Sequence, residues 1–295
     1  SSLIKEALKP ALEQRFNGYT STKRNYKESQ INTNKYSKIE FIDQNPIGKS
    51  SRSNPITYIK AYDEIRSLFS SQKLSKSREY KSGFFSFNVD GGRCETCKGD
   101  GEITVEMQFL ADVKLVCDEC NGKKFKDDVI EVEYNSKSIH DILNLSVEEA
   151  LEFFEEKRDI IARIQPLYDV GLGYIKLGQP SSTLSGGEAQ RVKLASFLTR
   201  ENHSKDIFFI FDEPTTGLHF HDIRKLMDAF NALVEHGHTV LVVEHNMDVI
   251  KMADYLIDLG PIGGKNGGHL VYQGLPEGLV KVKESFTGHF LKEKL

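Results

Sequence analysis

Four cysteines stand as two pairs, Cys94-x2-Cys97 and Cys117-x2-Cys120, with 19 residues between the pairs and no cysteine elsewhere in the 295 residues. The two-residue gap lets both thiolates of a pair face one ion, and two pairs supply the four ligands of a closed tetrahedral zinc site. Four protein ligands leave no position for water, so the ion is expected to be structural rather than catalytic. Glycines follow both pairs, at Gly99, Gly101 and Gly122. A disulfide framework would spread its cysteines through a small secreted chain. This clustering points instead to a metal site in a reducing compartment.

A second set of residues suits phosphate chemistry. Ser185-Gly186-Gly187 precedes the helix-like run Ala189–Ala195. A serine and two glycines at a helix N-terminus offer a hydroxyl and N–H groups to an anion. The apolar run Ile207–Phe211 ends in Asp212-Glu213-Pro214, and open α/β sheets bind ligands at the C-terminal ends of such strands. There Asp212 can hold Mg2+ through water and Glu213 can polarise an attacking water. A further run, Val240–Val243, ends in Glu244-His245, from which the histidine can reach a terminal phosphate. Phe41-Ile42-Asp43-Gln44 puts a glutamine amide at another strand end, where it can sense Mg2+ and water.

These residues need strands to carry them. Ile207–Phe211 and Val240–Val243 suit buried parallel strands, each preceded by a helical stretch, and the alternation over residues 140–295 argues for an α/β domain. Residues 1–16 read as a helix, with Leu3, Ile4, Ala7, Leu8, Ala11 and Leu12 at helical spacing. Residues 17–87 are polar and broken by Pro46 and Pro55, with a short helix expected near Tyr62–Phe69. In the cysteine region, residues 88–135, strand-like alternation occurs at Ile103–Met107 and at Val129–Val132. Ser146-Val147-Glu148-Glu149 is a capping box that starts another helix.

Composition excludes several classes. The chain has 39 Lys and Arg against 43 Asp and Glu, with 39% hydrophobic and 28% charged residues. That balance rules out a collagen, a mucin or a largely disordered chain. The longest apolar runs are too short to span a bilayer, so no membrane partner is expected. Ser1–Glu6 lacks the basic and apolar parts of a signal peptide, which points to the cytoplasm. The absence of an initial methionine suggests a fragment. The net charge of −4 hides an asymmetry: residues 1–87 hold 16 basic and 8 acidic residues. A basic first third is compatible with a polyanion such as nucleic acid, or with a solvated lysine-rich surface. Between Asp90 and Lys126 there are 8 acids and 6 bases, so the cysteine module is not a strongly basic clamp.

The order glutamine, Leu-Ser-Gly-Gly-Glu, Asp-Glu, histidine resembles an ABC-type ATPase: Q-loop, signature, Walker B, switch histidine. Thr215-Thr216-Gly217-Leu218-His219-Phe220 stands where transporters carry a Ser-x-Leu-Asp turn. With Gly171–Gln179, Asp43–Gly48, Arg52–Pro55, Phe85–Asn88, Asp258–Pro261 and the cysteine pairs, the chain resembles the UvrA family over nearly its whole length. The resemblance implies two ABC halves fused in one chain, acting as a homodimer in nucleotide excision repair. It also implies lesion-bearing double-stranded DNA as ligand and UvrB as partner, the latter through the first half. This sequence resembles the second half.

On that resemblance, residues 1–50 and 196–295 form a discontinuous ATP-binding domain. Residues 51–195 form an inserted signature domain, with a zinc module at about 88–126. No G-x-x-x-x-G-K-[ST] segment occurs, and Gly48-Lys49-Ser50 is a decoy at the Q-loop. Ser1-Ser2-Leu3 fits just after the missing lysine, which makes Ser1 a Mg2+ ligand and puts Ser2 beside the nucleotide. Ser1, Gln44, Asp212, Glu213 and His245 are then expected to serve this half's ATP. Ser185, Gly186 and Gly187 are expected to act on ATP bound by the opposite half. The 295 residues alone are expected to hydrolyse no ATP.

Lys49, Arg52, Lys60 and Lys81, with Arg93 and Lys98 in the knuckle, are the candidate DNA contacts. Arg52→Ala with Lys60→Ala is expected to weaken DNA binding of the full protein. Two other readings stand beside this one: a transporter-type ABC subunit, and a zinc-scaffolded interaction module without enzymatic role. The Gly217-Leu218-His219 segment argues against the first, and the Asp212-Glu213 and His245 set against the second.

Overall fold

The structure, a computed structural model, describes residues 2–17, 35–48, 50, 52–107, 112–198, 206–264 and 267–295. Among them nine strands occur: β1 (Lys38–Ile42), β2 (Glu102–Val105), β3 (Val113–Val116), β4 (Glu133–Tyr134), β5 (Lys137–Ser138), β6 (Ile207–Asp212), β7 (Thr239–Val243), β8 (Leu256–Gly260) and β9 (His269–Gly274). The chain divides into two units, one of residues 1–42 and 204–295, the other of residues 43–203. The α/β class expected from the sequence is the class observed.

In the first unit, β1, β6 and β7 form a parallel sheet in that order. The run Ile207–Phe211 becomes its central strand, with Phe209, Ile210 and Phe211 fully buried. Parallel neighbours need a crossover, and the helix Phe220–Glu235 supplies it between β6 and β7. That helix buries Ile223, Leu226, Met227, Phe230 and Leu233, an i, i+3, i+4 stripe. The Phe230 ring lies 4.6 Å from that of Phe211. β8 and β9 form a separate antiparallel ribbon.

The N-terminal helix differs in one respect from expectation. Ile4–Leu8 is a π-helical turn, and the α-helix proper is Lys9–Asn17. Pro10 has no N–H to give the carbonyl four residues back, so the regular ladder is interrupted there. The Lys9 N–H reaches back five residues, to the Ile4 carbonyl.

The second unit is mainly helical. The helix expected near Tyr62–Phe69 is Ala61–Ser70, and Ser146 caps Val147–Phe153 by the reciprocal bonds of a capping box. Ile65, Phe69, Phe85, Ile164, Leu167 and Val192 are fully buried, and the Tyr62 hydroxyl donates to the Phe85 carbonyl at 2.6 Å. β2 and β3 form an exposed antiparallel ribbon. The alternation at Val129–Val132 is not a strand. Asp127–Ile130 is one helical turn, with the two aspartates Asp127 and Asp128 in its first turn. Acids at a helix start favour that conformation, and it lets Val129 and Val132, three residues apart, both be buried on one side, whereas a strand would turn them to opposite faces.

Candidate nucleotide and zinc sites

At the end of β6 the chain changes character abruptly. Asp212 is the last strand residue and is buried, with the Lys5 ammonium 2.5 Å from its carboxylate. Glu213 leaves the strand with φ of 50°, in the left-handed region. Its N–H donates to the Val243 carbonyl at 2.9 Å, and its own carbonyl accepts from Thr216. Such a conformation is costly for a non-glycine residue and persists only when its surroundings hold it. The result is that Glu213 Oε1 lies 3.9 Å from His245 Nε2, and the His245 ring is 84% exposed. The two residues expected to act on one phosphate therefore face each other from the ends of adjacent parallel strands. Ser2, in the same unit, is exposed in the first turn of the N-terminal helix; Ser1 lies outside the described residues.

Glu244, which the sequence showed only as the neighbour of His245, is bonded to two loops. One carboxylate oxygen accepts from the Thr215 N–H at 2.8 Å and its hydroxyl at 2.6 Å. The other accepts from the N–H groups of His245 and Asn246 at 2.8 and 3.1 Å. No local signal announces this, because the Thr215 donors come from 29 residues earlier.

In the second unit, the helix Gly186–Leu198 begins at the signature. Ser185 and Glu188 cap it reciprocally: the Ser185 N–H donates to Glu188 at 2.7 Å and the Glu188 N–H to the Ser185 hydroxyl at 3.2 Å. The Tyr174 hydroxyl also donates to Glu188, at 2.7 Å. Burial and this hydrogen bond push Tyr174 up to about 12. Burial opposes ionisation of Glu188, but Tyr174 and Ser185 outweigh it and hold its carboxyl below the usual range.

Gly186 has a packing reason as well as a chemical one, since a Cβ there would sit 2.9 Å from the Cβ of Gln44. Lys193 of the same helix bonds Asp43 at 2.6 Å through the carboxylate and 3.1 Å through the carbonyl. Burial raises the Asp43 carboxyl, yet the Lys193 charge and the Asn45 donors bring it below its ordinary value. Gln44 is thus packed beside the signature, in a different unit from Asp212.

The four cysteines converge as their spacing predicts. All are buried, and their sulfurs lie within 4.8 Å of one another. The separations Cys94–Cys117 and Cys97–Cys120 are 3.9 and 3.7 Å. Tetrahedral zinc with bonds of about 2.3 Å requires sulfur–sulfur distances of about 3.8 Å, so the residues fit the ion. The Gly101 N–H donates to Cys97 Sγ at 3.2 Å. Gly99, with φ of 87°, lies so near the Phe87 carbonyl that a Cβ would come within 2.0 Å of it; the knuckle cannot close around another residue. Burial pushes the Cys120 thiol up to about 12 and raises Cys97, whereas the Cys120 N–H lowers Cys117. Buried thiols of this kind ionise when a cation compensates them.

The candidate basic residues are dispersed. Arg52 is engaged with Asp100 at 3.2 Å, and Arg93 with Asp90 at 2.5 Å. Lys60, Lys81 and Lys98 are exposed, and Lys49 lies outside the described residues. A cleft of about 600 Å3 beside the cysteines is lined by Lys98, Lys114, Lys124, His140 and Lys176. Three of these lysines and the histidine were not singled out by sequence, because they come from segments far apart in the chain.

No family model matches the chain. UvrABC system protein A of Listeria monocytogenes serotype 4b is 52% identical over 293 residues, which is 99% of this chain and 30% of the relative. The Bacillus subtilis protein of the same name is 51% identical over 292 residues, with the same coverage. The crystal structure of UvrA2 from Deinococcus radiodurans superposes with a TM-score of 0.87 at 40% identity, covering 98% of this chain and 34% of that one. Over nearly its whole length the chain is similar to part of UvrA. It spans about three tenths of the length of the curated UvrA sequences it matches. The matched residues run through both units. No helix among the described residues is long and apolar enough to cross a membrane.

Proposed function

We propose that this chain is the second nucleotide-binding half of a UvrA-type ABC ATPase, the damage-recognition subunit of nucleotide excision repair. The observation that carries the reading is the facing of Glu213 and His245, 3.9 Å apart at the ends of neighbouring parallel strands, beside Asp212. Whole-length similarity to UvrA supports it.

In this reading Glu213 is the general base. Its carboxylate takes a proton from water as the oxygen attacks the γ-phosphate, the bond from that phosphorus to the β,γ-bridging oxygen breaks and ADP leaves, and His245 donates a hydrogen bond to the γ-phosphate. Asp212 and Ser1 are the residues that would hold Mg2+, and Ser2 lies beside the nucleotide. Lys5 holds the Asp212 carboxylate in this structure, so Mg2+ would take the place of its ammonium there. When bound, Mg2+ neutralises charge on the phosphate oxygens. Gln44 reports on the same nucleotide. Ser185, Gly186 and Gly187 complete the ATP site of the opposite half, with the helix N-terminus directed at phosphate. The 295 residues alone turn over no ATP, since they contain no phosphate-binding loop.

The four cysteines hold a structural zinc ion. Exposed lysines of the second unit bind the backbone of lesion-containing double-stranded DNA, and the full-length protein acts in the cytoplasm as a homodimer that engages UvrB. The test is Glu213→Gln in the full-length protein. ATP binding is expected to persist while kcat falls about 100-fold or more; unchanged kcat would remove Glu213 from the mechanism.

A further inference from the structure

The carboxylate of Glu244 is saturated. An ionised carboxylate has about four acceptor positions, and here four donors fill them: the Thr215 N–H and hydroxyl, and the N–H groups of His245 and Asn246. The donors belong to two loops. Thr215 is two residues after Glu213, in the turn that leaves β6, and His245 is the second residue beyond β7.

Two further bonds extend the tie. Glu213 is held to β7 through the Val243 carbonyl and to its own turn through Thr216. The two loops therefore have one strut in common, and that strut ends beside each of the groups that face each other at 3.9 Å. An amide at position 244 could not replace it. Its single oxygen would accept from one loop, and its NH2 would confront the N–H donors of the other.

We infer that Glu244 is a positioning residue for hydrolysis: it sets the approach of Glu213 to His245 by bonding the turn after β6 to the loop after β7. The inference rests on the proposed ATPase reading. Because the strut acts on geometry and not on nucleotide affinity, it belongs in kcat rather than in KM.

The experiment is steady-state ATP hydrolysis by the full-length protein and its Glu244→Gln, Thr215→Val and His245→Ala variants, with the doubles that combine each of the first two with His245→Ala. Glu244→Gln is expected to lower kcat about 10- to 100-fold, with KM within about threefold. Thr215→Val, which removes one donor and keeps the shape, is expected to lower kcat several-fold. In the His245→Ala background both effects should shrink to about twofold or less, the non-additivity of residues that act as a unit.

A wild-type protein that turns over ATP while Glu244→Gln matches its kcat would overturn the inference and leave the ATPase reading intact. Losses that multiply in the doubles would reduce Glu244 to a structural residue and overturn it equally. If Glu244→Gln fails to fold, Thr215→Val and its double decide by the same criterion. A folded wild-type protein without ATPase activity would remove the underlying reading, and this inference with it.

Discussion

Asp212, Glu213, His245 and the four cysteines could be named from sequence because their chemistry resides in side-chain type and short spacing. A Cys-x2-Cys pair carries its geometry with it, since two residues fix how far apart two sulfurs can lie. At this scale zinc is directly testable. The purified protein should contain about one zinc per chain, and Cys117→Ala should lose it, as metal analysis would show. Retention of stoichiometric zinc by that variant would contradict the four-thiolate site. Glu244 was not legible in the same way. Its importance lies in donors 29 residues distant, and an acid beside a histidine in sequence carries no sign of them.

Strands and helices with one buried stripe were legible as elements. β6 is an apolar run as far as Asp212, and the crossover helix has apolar residues at helical period. The misreading at Val129–Val132 has a physical reason: a run of four positions is too short to fix a period, and it is the burial of Val129 together with Val132, an i, i+3 pair, that marks a turn rather than a strand.

Just before β7 stands a titratable group that makes a prediction. His238 is buried, and its Nδ1 accepts the Ile207 N–H at 3.3 Å, which requires the neutral ring. Burial, aided by the charge of His236, holds its pKa below the ordinary imidazole value of 6.5. Below that value the unfolded chain takes up the proton first. Its contribution is thus complete above about pH 6.5 and is lost as pH falls from there toward the lower folded value. The melting temperature should fall between about pH 7.5 and about pH 5.5, and His238→Asn, which keeps an acceptor but cannot titrate, should flatten that dependence. A variant with the wild-type slope would exclude His238 as its source.

Over the whole molecule, the basic first third was compatible with nucleic acid or with a solvated surface; the structure engages Arg52 with Asp100 and gathers other lysines beside the cysteines, together with Asp100 and Glu102. The expected outcome for DNA binding shifts accordingly. Removing one lysine–phosphate pair should reduce the slope of log affinity against log salt by about 0.9. Lys98→Ala with Lys176→Ala should therefore reduce it by about 1.8 in the full-length protein, and Arg52→Ala, whose guanidinium is paired with Asp100, should change it less. Equal slopes for the lysine double variant and the wild type would remove this cleft from the DNA path.

By itself the sequence brought out the four clustered cysteines, the α/β class, the helix that starts at Gly186 and the carboxylates at the strand ends. All of these depend on residue type and on spacings of a few residues. Only the tertiary structure decided what those residues meet: Glu244 reaching Thr215, Lys193 holding Asp43 beside the signature helix, Arg52 engaged by Asp100, and lysines from separate segments lining one cleft. Each joins residues far apart in the chain. Such pairings depend on how whole elements pack, and no local pattern records that.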